Sequence, residues 1–432
     1  MCKEMLKRTA LLATVGSFAL LALSACGASE SSESRSGGDN SGEGVVLEFQ
    51  QWWEPELPDG SLRALMDRFE EQNPGIKVEL LSGPYGSTRD QVVAGAAANT
   101  MADVVGLDGA WVYDFAKQGA IADLSALMNE TNYDQSQLAS QVEVDSATYM
   151  LPVVNFVYPL YANMDILEKA GINEIPSTRE EFADAAKKIA ELDDETAGWA
   201  LNLSIEQPSG IQNSFMSWAW ASGGSMLKDG QPDLTGEAVA SITKYVKELW
   251  DADTIAPGAF TMKEQDMVEE FINGRVGMMV DSLAHLNMIH EGNPDLNIDI
   301  AAIPAESGFT GERGIPYASW GIGIANNSEN KTEAWKLVEF LMSEEVNSSL
   351  ATDANAFPGN TKSVPENLDS DPLMDKAFKV YQDGKPTNEF VGLPVSEELM
   401  RQLSTQVQKA LDGSQSIEDS LTNAQKSWEQ EF

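Results

Sequence analysis

Cysteine is nearly absent from this 432-residue chain, which has only Cys2 and Cys26. A framework of internal disulfides is therefore excluded. Histidine is as scarce: His285 and His290 are the only two. Their spacing is poor for a helical metal pair, which wants ligands three or four residues apart. No G-x-S-x-G elbow, Walker loop or dinucleotide fingerprint is present, so the common marks of hydrolases, nucleotide-binding proteins and dehydrogenases are missing. The run "DLNID" at 295–299 begins like a calcium loop, but Ile300 stands where the sharp-turn glycine belongs. Positive charge is also short. There are 28 Lys and Arg against 68 Asp and Glu, a net charge of −40. That balance argues against nucleic acid, whose counterions must be displaced by basic side chains, and against docking on anionic lipid. The acidic residues are spread along the chain and read as a solubilising surface. No cofactor, no metal and no catalytic residue is expected.

The N-terminus has its own grammar. "MCKEMLKR" is basic, "TALLATVGSFALLAL" is uncharged and apolar, and small residues follow. This order reads as a secretory signal over residues 1–25, and the apolar run is shorter than the roughly 20 residues that span a bilayer. Leu23-Ser24-Ala25-Cys26 resembles a bacterial lipobox, which makes Cys26 the expected lipid anchor. A diacylglyceryl or palmitate-type anchor holds by burying methylenes, and stable attachment takes more than one chain. Residues 26–44, rich in Gly, Ser and acid, cannot bury enough apolar surface to fold and read as a flexible linker. The expected location is the extracellular face of a bacterial cell membrane, reached only through the anchor. A Gram-positive surface is preferred, and the periplasm is the Gram-negative equivalent.

The body, from Val45 onward, is too long for one ordinary core and suggests two domains. Val46 to Gln50 alternates as a strand. In "PDGSLRALMDRFEEQNPG", Leu62, Leu65, Met66 and Phe69 fall on one helical face, with Asp59 or Ser61 as the cap. "IKVELL" is a second strand, and Asp103 to Leu107 a third after another helix. Strand and helix in alternation predict a mainly parallel sheet covered by helices. Ser177 with Glu180 reads as a capping box for a helix carrying Phe182, Ala185, Ala186 and Ile189.

Ten tryptophans are present, several at predicted strand ends. In open α/β sheets ligands bind in the crevice beyond those ends. An indole stacks on the C–H face of a sugar ring while carboxylates and amides bond its hydroxyls. Trp53 with Glu54, and Asp108 with Trp111, offer both parts, and Trp320 lies at a similar edge. Trp199, Trp250, Trp335 and Trp428 are assigned to core or helix surface.

Five segments in order carry a family resemblance: "FEEQNPGIKVEL", "ADVVGLDGAWVYDFAKQGAIADLS", "YMLPVVNFVYPLYANMDILEKAGINEIPSTREEFADAAKKI", "FINGRVGMMVDS" and "ASWGIGIANNSENKTEAWKLVEFLMSEE". Together they resemble the extracellular solute-binding proteins of carbohydrate ABC importers, the broad maltose-binding-like family. The resemblance implies an α/β, two-lobed, periplasmic-binding-protein-like fold with the ligand cleft between lobes joined by hinge strands. Lobe 1 is expected at 45–153 plus 304–345 and lobe 2 at 154–303 plus 346–432, with hinges near Pro152-Val153 and Ile303-Pro304. The ligand-binding residues it implies begin with Asp108 and Trp111 in the ligand loop, and Trp53 and Glu54 after the first strand. Asn155 and Tyr158 stand at the lobe crossing, and Trp320 and Gly321 in the return segment. Asp281 follows the "MMV" strand, where Ser282 and Leu283 replace the usual aromatic platform. Trp218 and Trp220 are possible second-lobe platforms and Tyr85 a loop candidate.

The function implied is capture of a sugar, an oligosaccharide given the many aromatics, and delivery to ABC permease subunits by hinge closure. The protein is expected to be a monomer and not an enzyme. Two alternatives stay open: a binding protein for another solute such as a polyamine, and a secreted glycosidase using two cleft carboxylates.

Overall fold

The computed structural model describes residues 44–368 and 370–432. The signal, Cys26 and the linker up to residue 43 lie outside the described residues.

The first strand, Val45–Gln51, buries Leu47 and Phe49 and pairs in parallel with Ile76–Ser82 along its whole length. On its other edge it pairs in parallel with Val104–Leu107. Helix Ser61–Gln72 buries the four predicted residues, Leu62, Leu65, Met66 and Phe69. Its N-cap is Gly60 in the left-handed conformation, without a side-chain cap from Asp59 or Ser61. The capping box of helix Arg179–Ala190 also sits one residue further on than expected. Thr178 caps, Glu181 reciprocates, and Ser177 donates to the same Glu181 carboxylate.

The large sheet is mixed rather than mainly parallel. The long strand Arg313–Ile324 runs antiparallel to both Val104–Leu107 and Ala147–Val157. A second, four-stranded sheet is built from Ile298–Ala301, Leu160–Asn163, Val276–Val280 and Ala197–Ala200, in that order. Three of these strands are buried almost throughout, whereas the edge strand Ile298–Ala301 carries Asp299 and buries only Ile300.

The chain changes sheet at Tyr158-Pro159, between strands Ala147–Val157 and Leu160–Asn163. The expected crossing at Pro152-Val153 is displaced because Val153, Val154, Phe156 and Val157 are all buried and the strand stays paired to Tyr317. The return, between Ile298–Ala301 and Arg313–Ile324, does contain Ile303-Pro304. The C-terminal part departs from the expected division. Phe357–Pro358 pairs with Ala147–Val157, and Gly384–Thr387 pairs with Arg313–Ile324, so both strands belong to the large sheet although they follow residue 346. Helices Ser396–Leu411 and Ile417–Trp428 then pack on each other and on Glu237–Asp251.

Candidate functional site

A cleft runs beyond the strand ends and takes its walls from elements of both sheets. Its central cavity holds about 170 Å³, and an adjoining cavity of about 540 Å³ shares Tyr85, Asp108, Gln207, Ser209 and Gln212 with it. The adjoining volume lies within the ~300–1,000 Å³ usual for small-molecule sites, and the central one is smaller.

One wall is aromatic. Trp52 follows the first strand and meets Tyr85 edge-on at 5.2 Å, while Trp111 lies 5.4 Å from Trp52 and 5.2 Å from Tyr85. Asp108 is the N-cap of helix Gly109–Lys117. It accepts the Ala110 N–H at 2.8 Å and the Tyr85 hydroxyl at 3.2 Å. The floor is Trp320, stacked on Trp53 at 5.5 Å with an interplanar angle of 7° and edge-on to Phe156 at 4.9 Å. The facing wall is polar. Gln212 and Asn213 sit on Ile211–Met216, a π-helical turn of the kind that widens helices at functional sites. Glu264 opens helix Glu264–Ile272, and Ser282 and His285 follow strand Val276–Val280.

The ionisable groups interact. Asp281, fully buried, holds His285 Nδ1 at 2.9 Å. Burial opposes the charged imidazolium, but the charge and hydrogen bond of Asp281, with Glu56 and Glu264 beyond, outweigh it and raise His285 to about 10. Desolvation raises Glu56 to about 7, partly offset by His285 and by a hydrogen bond from Trp320. Desolvation likewise raises Glu264 to about 8 against the pull of His285. Burial also raises Asp108, and lifts Tyr85 and Tyr158 well above the ordinary phenol range. Glu264, Asp281 and His285 bring one ligand atom each within 4.8 Å of one another. The Asp281–His285 ion pair, with Glu264 attracted to the imidazolium, accounts for that closeness.

Of the sequence-named residues, the structure brings Tyr85, Asp108, Trp111, Tyr158 and Trp320 to the cleft. Others stand just behind it. Asn155 accepts a hydrogen bond from Ser319, which lines the cavity, at 2.8 Å, and Asp281 backs His285. The rest are corrected. Trp53 is fully buried between Phe49 and Trp320. Trp218 is buried against Phe182, Trp199 and Tyr245, and Trp220 is buried with its indole N–H on Glu389 at 2.7 Å. Glu54 bonds Ser82 rather than facing the cavity. Gly321 lies inside the sheet, where a Cβ would collide with the Met150 side chain.

Sequence reasoning missed Trp52, Glu56, Gln212, Asn213, Glu264 and His285 as cleft residues. For Trp52 a signal existed. Leu47, Phe49 and Trp53 share one phase of the strand alternation, which assigns Trp53 to the core and Trp52 to the opposite face. For Gln212 and Asn213 there was none, because a π-turn has no periodic pattern.

The model of the bacterial extracellular solute-binding protein family matches residues 54–348. A Brucella abortus protein described as a binding protein is 30% identical over 296 residues, covering 68% of this chain and 71% of that one. The chain belongs to this family. The diacetylchitobiose binding protein of Streptomyces coelicolor is 24% identical over 87% of this chain and 88% of its own. Among solved structures, an ABC transporter solute-binding protein from Thermotoga lettingae, bound with α-D-tagatose, superimposes with a TM-score of 0.78. It is 23% identical and covers 89% of this chain and 99% of its own. The architecture is the two-lobed α/β fold of periplasmic binding proteins.

Proposed function

We propose that the protein captures a sugar, an oligosaccharide, in the cleft and delivers it to the permease subunits of an ABC importer. The observation that carries this is the composition of the cavity. Trp52, Trp111 and Trp320 line the two cavities together with the amides of Gln212 and Asn213 and the carboxyls of Glu56 and Glu264. Indole faces suit the apolar face of a pyranose, and each stack contributes of the order of 1 kcal/mol beyond area. Two cavities in series suit several rings. The names of the Streptomyces and Thermotoga proteins, both sugar binders, support the same reading.

Closure is a hinge motion of two lobes about their crossing segments, the motion by which periplasmic binding proteins enclose their ligands. We assign the lobes by sheet membership, with Tyr158-Pro159 and the segment after Ala301 as crossings. Ligand favours the closed form to the extent that it binds that form better. Asn287 ties helix Leu286–Gly292 to distant segments, donating to the backbone carbonyls of Glu56 at 3.2 Å and Asp353 at 2.8 Å. The lipobox reading of Cys26 supports anchoring outside the cell, and membership of a family of binding proteins supports a carrier rather than an enzyme.

Calorimetric titration with mono- and oligosaccharides tests this. Micromolar or tighter binding of an oligosaccharide, weakened at least tenfold in Trp52→Ala, is expected. Heat from spermidine alone, or conversion of a bound sugar to shorter products, would overturn it.

A further inference from the structure

The charges in the central cavity are one-sided. Among the described residues lining it there is no Lys or Arg; the ionisable acids and bases are Glu56, Asp108, Glu264 and His285. Asp108 is satisfied by a backbone N–H and the Tyr85 hydroxyl. His285 is neutralised by Asp281 at 2.9 Å. Glu56 and Glu264 share only the imidazolium that Asp281 already pairs, Glu56 with a hydrogen bond from Trp320 besides, and Glu56 disfavours ionisation of Glu264. Two further groups are incomplete. Ser209 and Gln212, 9% and 3% exposed, both line the cavity, and neither Ser209 Oγ nor Gln212 Oε1 has a hydrogen-bond partner.

A buried carboxylate short of positive charge is costly, and so is a buried acceptor left unmade. A neutral hydroxyl can bond either, but it brings no charge. An ammonium brings a positive charge and three donors, and it is also attracted to the indole faces of Trp52 and Trp320. A uronate or phosphosugar would add negative charge to a cavity already rich in it.

We propose that the central cavity selects an oligosaccharide bearing a free, protonated amine, seated between Glu56 and Glu264 with Ser209 and Gln212 as further acceptors. This rests on the reading of the cleft as a sugar site and narrows it. The upward displacement of Glu56 and Glu264 by burial is in keeping with it, since a bound ammonium would reverse that direction.

The test is titration of the protein with a glucosamine trimer, its fully N-acetylated counterpart, a glucose trimer and spermidine, repeated with Glu56→Gln and Glu264→Gln. Both substitutions keep the side-chain shape, and a thermal melt checks folding. The glucosamine trimer should bind at least tenfold more tightly than the acetylated and glucose trimers, and the ratio should fall about ten- to a hundredfold in either variant. Equal or tighter binding of the acetylated or glucose trimer overturns amine selection and leaves the sugar reading standing. Amine selection at these two carboxylates is likewise overturned if the preference survives both substitutions. Binding of spermidine with no sugar bound, or of nothing in the panel, overturns both readings together.

Discussion

Two neighbouring tryptophans have opposite fates. Trp53 belongs to the packed core and Trp52 to the cleft wall, although nothing but one position separates them. Trp218, enclosed by Phe182, Trp199 and Tyr245, is a core residue in the same sense. Trp218→Ala should cost about 3–5 kcal/mol in denaturant unfolding, whereas a cleft platform would show its loss first in ligand affinity. The Asp281–His285 pair supplies a pH-dependent prediction. His285 is raised to about 10 in the folded protein from 6.5. The stabilisation from its charged form is therefore complete below about pH 6.5 and is lost as pH rises through about 10. Asp281→Asn should destabilise by up to about 3 kcal/mol at neutral pH. The gap between variant and wild type should narrow on going to pH 10 in parallel urea melts. A gap independent of pH would contradict the ion-pair assignment.

At the scale of elements, short irregular pieces position the site. The π-turn Ile211–Met216 begins just after Gly210, where a Cβ would run into the Asn202 carbonyl oxygen. That neighbour is backbone and cannot move aside cheaply. Gly210→Ala should therefore lose about 1–3 kcal/mol of stability and displace Gln212 and Asn213, so that ligand affinity falls as well; calorimetry beside thermal melts would show both. The capping box offers a milder case. Thr178→Ala removes the bond to the Glu181 N–H and should cost about 1 kcal/mol, read from the urea midpoint, without touching the cleft. The buried face of helix Ser61–Gln72 was legible to the residue because its apolar spacing is regular. The boundaries of the cap were not, since Ser177, Thr178, Glu180 and Glu181 offer the pattern in more than one register.

At the scale of the molecule, the cleft is made by strands far apart in sequence. Trp52, Glu264 and Trp320 meet only because the chain crosses between two sheets and returns. A ligand that binds across such a cleft should stabilise the whole body. At a hundredfold excess over Kd the gain is about 2.7 kcal/mol, visible as a rise in melting temperature. Asn287→Ala, which removes the bonds to the carbonyls of Glu56 and Asp353, should shift the unliganded protein toward the open form. Small-angle scattering would then show a larger difference between free and liganded variant than between free and liganded wild type.

Local pattern alone was enough for the strand–helix alternation, the buried face of Ser61–Gln72, the aromatic richness of strand ends and the acidic surface. Each is set by periodicity or composition, which act over a few residues. Position just after a strand brought Asp108 and Trp111 to the cleft wall, whereas Tyr85 starts helix Tyr85–Ala98 and Trp320 stands inside strand Arg313–Ile324, so no strand end placed those two. The pairing of Phe357–Pro358 and Gly384–Thr387 with the large sheet, the crossing at Tyr158-Pro159 and the cluster of Glu56, Glu264, Asp281 and His285 were decided only by tertiary structure. Strand partners and charge clusters depend on which distant segments meet, and side-chain spacing along the chain carries no measure of that distance.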